Sequence, residues 1–527
     1  MTAENEGLIK AAKGTGIIAA QSFVNAIIGV LLFMFMARFL TQTEMGVYGA
    51  SRIITTAAGM VGLLGLDYAV TRYVPLLKAK GDDLKAASTA KRILIISVST
   101  ASITTATLFI LAQPLAEVAL GSQGYVAFFQ VVALATFLAV MESMALGFLQ
   151  ALQKFARLAW ARFAAQIARM VLTVVLLIIG LGVTGVVLGW MLFSVVVVSF
   201  ATPVVWRQLF RQDPGQGAPR EAIPLKELLN FSLPLMGVYT LAYATNSIDQ
   251  LIVLCFLGVD ILGVYVVVMN AAAVISTIFG LPLMMTLTPS MSETHGQQGI
   301  EGVSDALRMS SRYISLLFVP ASLVLAALSP LALFILGGAV YVDGTLPLAL
   351  ICIGMSTYGF SVAITSALIA IGKTRVVLAI LAVASAVELI GSLSISAFYA
   401  LSGVALGRAL MYLTMLLLLI YLGSRHLRVS FDRRALKGSA AASGLTAIAL
   451  YSLAAYSEFE LVLLPLYLIT AFIVYTFTLF GMRILTLADL AFFFRITPGG
   501  VKLYYKISNL VKTSPTLTSI AQKLLAE

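Results

Sequence analysis

The sequence has few charged residues, few cysteines and few histidines, and each shortage excludes a class of protein. Only 11% of its 527 residues are charged, whereas a soluble domain needs about 25% to cover its surface. Cys255 and Cys352 are the only cysteines and both lie in apolar runs, so a disulfide framework is excluded. The two histidines have no cysteine or paired acid near them, so we predict no metal site and no cofactor.

Apolar sequence is what the chain has in abundance. Hydrophobic residues make up 60% of it, in runs long enough to cross a hydrocarbon core of about 30 Å. Inside lipid, only helices and closed barrels satisfy every backbone hydrogen bond. The runs do not alternate with a period of two, which favours helices. We predict an all-α polytopic membrane protein of about fourteen spans, at residues 14–40, 46–70, 92–113, 124–150, 156–180, 184–206, 231–257, 262–289, 313–336, 345–371, 374–398, 402–423, 438–456 and 460–481.

Lysine and arginine collect in alternate loops, which orients the predicted spans. Cytoplasmic loops of membrane proteins are enriched in these two residues. With both termini placed in the cytoplasm, all but four of the 34 basic residues fall on the cytoplasmic side. The net charge of +11 therefore reflects contact with anionic lipid headgroups and not nucleic-acid binding. We predict a multi-pass protein of the cell membrane with both termini cytoplasmic.

Short motifs recur along the chain and predict an internal duplication. Phe39-Leu40-x5-Gly46-Val47-Tyr48 returns 217 residues later as Phe256-Leu257-x5-Gly263-Val264-Tyr265. Gly185-Val-Val-Leu-Gly189 returns as Gly403-Val-Ala-Leu-Gly407 at almost the same offset. Both copies begin in the cytoplasm, so the repeats are parallel, as in transporters that rock two lobes about a central site. The predicted divisions are an N-terminal lobe at 1–206, a linker at 207–230, a C-terminal lobe at 231–423, two appended spans at 424–481 and a cytoplasmic or interfacial tail at 482–527.

Several local motifs resemble those of one transporter family. The segments are Ala37-Arg38-Phe39-Leu40 with Gly46-Val47-Tyr48, Asn230-Phe-Ser-Leu-Pro-Leu235, Ser247-Ile-Asp249, and Ala370-Ile-Gly-Lys373-Thr-Arg375. They resemble Wzx-type oligosaccharide flippases of the multidrug/oligosaccharidyl-lipid/polysaccharide exporter superfamily. The resemblance implies a flippase that carries an isoprenoid-linked oligosaccharide to the outer leaflet by alternating access. It also implies glycosyltransferases of the same pathway as partners, beside the membrane lipids.

Four arginines remain inside the predicted spans, where a charge costs at least about 2.5 kcal/mol and therefore faces a cavity or a partner. Each is a candidate for the substrate's anionic headgroup: Arg38, Arg52, Arg169 and Arg408. Guanidinium binds phosphate oxygens through paired donors. The alternatives are snorkelling to the outer headgroups for Arg38 and Arg52, and a structural ion pair for Arg169.

Buried acids raise the question of ion coupling. Asp249, Glu388 and Asn246 are candidates for a Na+ or H+ coupling site, because related lipid II flippases place a sodium site on the equivalent helices. Arg408 argues against sodium and favours a plain Glu388–Arg408 bridge, and substrate contact is the third alternative. Arg169 lies opposite Val387 or Glu388 in the repeat alignment, which suggests the further hypothesis of an Arg169–Glu388 pair that breaks when an anionic headgroup competes for the arginine.

Two other functions compete with the flippase. A cation-coupled multidrug exporter would share the fold, but buried arginines in the first lobe favour anionic cargo. A membrane-embedded glycosyl-transfer enzyme needs a sizeable outer loop with catalytic residues, and here no loop exceeds about 25 residues. We predict no enzymatic activity.

Overall fold

The structure is a computed structural model that describes residues 24–120, 123–211 and 221–484. These residues form helices joined by short connections and include no strand, which confirms the all-α class. The start of the first predicted span, residues 212–220 of the predicted linker and nearly all of the predicted tail lie outside the described residues.

Helix length and composition agree with a polytopic membrane protein. The described residues contain ten stretches long and apolar enough to cross a membrane, or eleven when one bent pair counts as a span. Two of the ten, Val259–Ala327 and Thr374–Gly423, are far longer than the roughly 20 residues that a span needs. Each has a non-helical residue inside it, Gly299 in the first and Ala400 in the second. With these divisions and the shorter apolar helix Val24–Phe39, the described helices follow the fourteen predicted spans in order.

The chain forms two compact units, Met1–Val267 with Leu336–Tyr341, and Val268–Ile335 with Val342–Glu527. The lobe boundaries inferred from the repeat stay a prediction. The helices of the first unit are α1 (Val24–Phe39), α2 (Gln42–Leu63), α3 (Leu66–Ala79), α4 (Asp83–Ile110), α5 (Ala112–Leu120), α6 (Val126–Ala151), α7 (Phe155–Ile178), α8 (Gly182–Val205), α9 (Leu225–Ile252) and the beginning of α10 (Val259–Ile275).

Helix α6 is the centre of the first unit and packs against α2, α3, α4 and α8. One predicted span is divided here. The backbone of Leu64 and Gly65 is left-handed, so α2 and α3 meet at a bend of 42°. A Cβ at Gly65 would collide with the backbone oxygen of Ser232, which explains why this turn needs glycine. The predicted span 46–70 therefore corresponds to a bent pair of helices.

The second unit contains the rest of α10, α11 (Leu281–Ala327), α12 (Ser329–Gly337), α13 (Thr345–Met355), α14 (Tyr358–Ala370), α15 (Thr374–Gly423), α16 (Arg433–Tyr456) and α17 (Leu464–Gly481). Helix α11 packs against α13, α14 and α16, and α17 packs against α16. The predicted span 345–371 is two helices, because the hydroxyls of Ser356 and Thr357 donate to the carbonyls of Ile353 and Gly354 at 2.6 and 2.7 Å.

The two copies of the first repeated motif pack on each other within the first unit. A Cβ at Gly46 would collide with the backbone oxygen of Val259, and a Cβ at Gly263 would collide with that of Gln42. The hydroxyl of Thr43 donates to Asp260 Oδ1 at 2.5 Å beside this crossing. We call this crossing the glycine contact. It lies at the helix ends that the charge pattern predicts to face outward.

Candidate functional site

Two of the four predicted arginines, Arg52 and Arg169, line one cavity of about 330 Å³ inside the first unit. We call it the arginine cavity. Its other lining residues come from α2, α6 and α8: Tyr48, Thr55, Thr56, Ala135, Ala139, Glu142, Trp190, Phe193 and Ser194. The α2 residues follow helical spacing, so one face of this helix forms one wall.

The Trp190 ring contacts the Arg169 guanidinium, and the Nε–H donor of Arg169 is not used by the described residues. Its guanidinium carbon lies 6.0 Å from the centroid of the Trp190 ring, within the range of a cation–π contact. Tyr48 packs against Trp190 with ring centroids 5.4 Å apart. The buried Nε of Arg169 has no hydrogen-bond partner among the described residues. A buried, unused guanidinium donor is costly unless a ligand satisfies it.

Neither arginine of the cavity forms a salt bridge with a residue that the structure describes. Arg52 is exposed, and within the described ranges no salt bridge joins it or Arg169 to a carboxylate. Glu142, the one acid in the lining, accepts a hydrogen bond from Ser194 Oγ at 2.7 Å. Two guanidinium groups thus face one cavity that has a single acid, and Glu142 attracts Arg169 without forming a salt bridge with it in the described residues. The arrangement suits a ligand with two or more negative charges.

A second cavity of about 300 Å³ adjoins the first and shares Thr55, Thr56 and Ala139 with it. It lies at the α2–α3 bend, and its wall includes Asp67, Ser143 and two tyrosines. The rings of Tyr68 and Tyr239 stack at a centroid distance of 4.5 Å. Hydroxyl groups, a carboxylate and aromatic faces together are a suitable lining for a neutral polar ligand. We call it the tyrosine cavity.

The other two predicted arginines lie elsewhere. Arg38 is exposed near the end of α1 and does not line the arginine cavity. Arg408 is buried in the second unit, with 2% of its side chain exposed, and its Nη1 donates to Glu388 Oε1 at 2.8 Å. The Glu388 side chain is fully buried. Among the alternatives left open by the sequence, this geometry is that of a structural pair.

Replacement of Arg408 by alanine is expected to destabilise the protein by about 3–5 kcal/mol, because it leaves the Glu388 carboxylate buried without its ion-pair partner. Thermal melting of the purified full chain measures the effect. The double variant Glu388→Leu/Arg408→Leu should recover most of the loss, since apolar side chains remove both charges. An Arg408→Ala protein that melts like the unaltered chain would contradict this role.

The remaining candidates for cation coupling have protein partners. Asp249 is fully buried on α9, where its Oδ2 accepts from the Tyr265 hydroxyl and its Oδ1 from the Gln250 amide, each at 2.8 Å. Asn246 Nδ2 donates to the carbonyl of Ala242 at 2.8 Å. In the described part of the chain, no group of three or more His, Cys, Asp or Glu residues is placed to hold a metal ion. A role in coupling stays a prediction.

Sequence reasoning missed the residues that surround the arginines. Tyr48, Trp190 and Ser194 carry no charge, so counting intramembrane charges could not select them. Tyr48 had a signal of its own, because it ends the first copy of the repeated Gly-Val-Tyr motif.

Comparison with known proteins decides the family. A family model described as "Polysaccharide biosynthesis protein" matches residues 35–343, which is more than half of the chain. The chain belongs to this family. The match includes Arg38, Arg52 and Arg169 and confirms the resemblance drawn from the local motifs. The search of curated protein sequences found no match to the chain.

Solved structures of transporters share the fold. The lipid II flippase MurJ in an inward closed conformation superposes with a TM-score of 0.66 at 13% identity, covering 87% of this chain and 97% of MurJ. An inward-facing multidrug transporter of the MATE family superposes with a TM-score of 0.59 at 15% identity, covering 76% of this chain and 94% of that one. A Vibrio cholerae MATE transporter gives a TM-score of 0.51 at 17% identity, with coverage of 79% and 99%. At these identities the likeness concerns the fold alone.

Proposed function

We propose that the protein is a flippase that moves an isoprenoid-linked oligosaccharide from the cytoplasmic to the outer leaflet of the cell membrane by alternating access. The link between lipid and sugar is a phosphate or pyrophosphate, and glycosyltransferases on the cytoplasmic side supply the substrate. Transport itself breaks no covalent bond. Membership of a polysaccharide biosynthesis family and a MurJ-like fold support this class of cargo.

The observation that carries the proposal is the pair of arginines in one cavity. Arg52 and Arg169 form no salt bridge in the described structure. Charge-assisted hydrogen bonds from guanidinium to phosphate are short and directional. A pyrophosphate offers enough oxygens and enough negative charge to occupy both guanidinium groups at once. An organic cation would meet two like charges in the same place.

The adjoining tyrosine cavity provides room for the first sugar. Its hydroxyls and the Asp67 carboxylate can exchange hydrogen bonds with sugar hydroxyls, and the faces of Tyr68 and Tyr239 suit the apolar face of a pyranose ring. A headgroup in the arginine cavity would thus have its glycan beside it. The geometry accommodates both parts of the proposed substrate within the first unit.

Reconstitution of the purified protein into liposomes tests the proposal. A polyprenyl-pyrophosphate saccharide with a fluorescent label on the sugar is incorporated in both leaflets, and dithionite then bleaches the accessible pool. We expect the protected pool to become accessible in protein-containing vesicles and to stay protected in empty vesicles. The same labelled saccharide joined to the polyprenyl chain by a neutral ether, without pyrophosphate, should give no protein-dependent increase.

The alternative is a cation-coupled multidrug exporter, because MATE transporters share the fold. Uptake of an organic cation such as ethidium, with an imposed sodium or proton gradient, separates the two functions. Gradient-dependent ethidium transport without movement of the pyrophosphate lipid would reject the flippase. Flipping that persists when sodium is replaced and the proton gradient is collapsed would exclude coupling to either ion.

A further inference from the structure

An arginine-rich pocket of about 450 Å³ in the second unit has no part in the proposed transport path. It is built from the middle of α11 and the segment that leads into α16. Its lining residues are Ser304, Asp305, Arg308, Arg428, Ser430, Phe431, Asp432, Arg433 and Arg434. We call it the α11–α16 pocket. All of these residues fall in loops that the charge pattern predicts to be cytoplasmic.

Serines of α11 fix the backbone of one pocket wall. The amide of Arg428 donates to Ser304 Oγ at 3.2 Å, and the amide of Asp432 donates to Ser311 Oγ at 3.1 Å. Both serines are buried. Phe431 packs edge-to-face against Phe360, which anchors the same segment. These contacts hold the backbone of residues 428–432 against the rest of the second unit.

Asp432 cannot neutralise the pocket because its charge is already used. Its Oδ2 pairs with Arg312 Nη1 at 2.8 Å, and its Oδ1 accepts from the amides of Arg434 and Ala435 as the N-cap of α16. Burial acts to raise the pKa of Asp432, but these hydrogen bonds and Arg312 outweigh it and hold the pKa below its usual range. The carboxylate stays ionised and committed to Arg312 and the helix end.

Three arginines of the pocket have unused donors. Arg308, Arg428 and Arg433 are exposed, and none makes a side-chain hydrogen bond or salt bridge to any residue that the structure describes. Arg434 Nη2 donates to the carbonyl of Arg483 at 2.9 Å. Asp305 is the only lining acid besides Asp432. The pocket therefore has an excess of positive charge and offers several guanidinium donors to one anion.

The surface next to the pocket indicates an amphipathic ligand. Along α16 the exposed positions Arg434, Lys437, Ala441, Leu445 and Ile448 are spaced by three or four residues, so they share one face. This face changes from basic beside the pocket to apolar further along the helix, where Leu445 is 54% and Ile448 is 66% exposed. A soluble anion would use only the basic end, whereas a phospholipid would use both.

We propose that the α11–α16 pocket binds the phosphate of an anionic membrane phospholipid whose acyl chains lie along the apolar part of α16. The shared chemistry is a phosphate group, which a soluble phosphate could also supply. The positive-inside bias alone explains basic residues in a loop. This bias does not explain why three arginines from two separate segments line one pocket beside an apolar stripe. None of the three has a side-chain partner among the described residues.

Native mass spectrometry of the full chain, titrated with dioleoyl phosphatidylglycerol, tests the site. Each basic residue near an anionic lipid strengthens binding by about fivefold. We therefore expect R308Q/R428Q/R433Q to raise the dissociation constant of the tightest lipid by about tenfold or more. The control R157Q/R207Q/R375Q removes the same charge from exposed positions outside the pocket and should leave that constant unchanged.

Three results would contradict the assignment of the pocket to a phospholipid. An unchanged constant in the pocket variant, or an equal loss in the control, would show that the pocket is not a specific site. Displacement of the lipid by inorganic phosphate at the same concentration would assign the pocket to a soluble anion. If the triple variant fails to fold, the single variants R308Q, R428Q and R433Q replace it, each with an expected weakening of about threefold or more. Flipping activity does not enter these measurements, so the result is independent of the proposed function.

Discussion

A disulfide between positions 43 and 260 should reduce flipping to the level of empty vesicles. Thr43 Oγ1 and Asp260 Oδ1 are 2.5 Å apart beside the glycine contact, on the predicted outer side. Under alternating access, a cavity must open to each side in turn, so contacts that close the outer side have to separate. A covalent bond at this point prevents that separation and holds the protein in the conformation described here.

The experiment uses Thr43→Cys/Asp260→Cys in a chain without Cys255 and Cys352, because Cys255 is exposed and would react with the oxidant. Mass spectrometry establishes the fraction of cross-linked protein, and the dithionite assay measures flipping. Reduction with dithiothreitol should restore activity, and the two single-cysteine variants should stay active in oxidant. Full cross-linking with undiminished flipping would show that the glycine contact does not need to open.

Arg169→Gln should slow flipping by about tenfold to a hundredfold while leaving the melting temperature unchanged or higher. A hydrogen bond to a charged group contributes about 1.5–3 kcal/mol, and each 1.4 kcal/mol changes a binding constant tenfold. In the protein without ligand, Arg169 Nε has no partner among the described residues, so its removal breaks no hydrogen bond of that atom. Loss of activity without loss of stability is typical of a residue kept for function.

Two further variants make this result specific. Arg169→Lys keeps the charge but loses the planar donor pair, so a partial defect would indicate paired recognition of phosphate oxygens. Arg38→Gln removes a predicted intramembrane arginine that does not line the arginine cavity, and it should retain most of the activity. Unimpaired flipping in both Arg169→Gln and Arg52→Gln would remove the basis for the proposed headgroup site.

The helices could be predicted from the sequence because backbone groups in lipid must form their hydrogen bonds within the protein. Long apolar runs must be helical in lipid, and the breaks at Gly299 and Ala400 fall between spans that hydropathy had already separated. Breaks inside a span were missed. Those at Leu64–Gly65 and Ser356–Thr357 arise from local backbone conformation and from side-chain hydrogen bonds within apolar sequence, which hydropathy does not register.

The site was predictable only as a set of charges. Counting the loop charges left four arginines inside the predicted spans. Their spacing did not show that Arg52 and Arg169 line a cavity whereas Arg38 and Arg408 do not. The difference lies in tertiary packing. Arg408 forms a salt bridge with Glu388 across the break in α15, whereas Arg52 and Arg169 line a shared cavity and form no salt bridge with the described residues.

The glycine contact has a further property that follows from residue numbers. Thr43 and Asp260 are 217 residues apart, which is the offset of the repeated motif. The same offset relates Gln42 to Val259 and Gly46 to Gly263, so each motif copy contacts the other through the same positions. This reciprocal pattern is the isologous interface of a C2 homodimer, with position 43 and its equivalent on the local twofold axis. It is the pattern that the predicted duplication of one six-helix unit would leave.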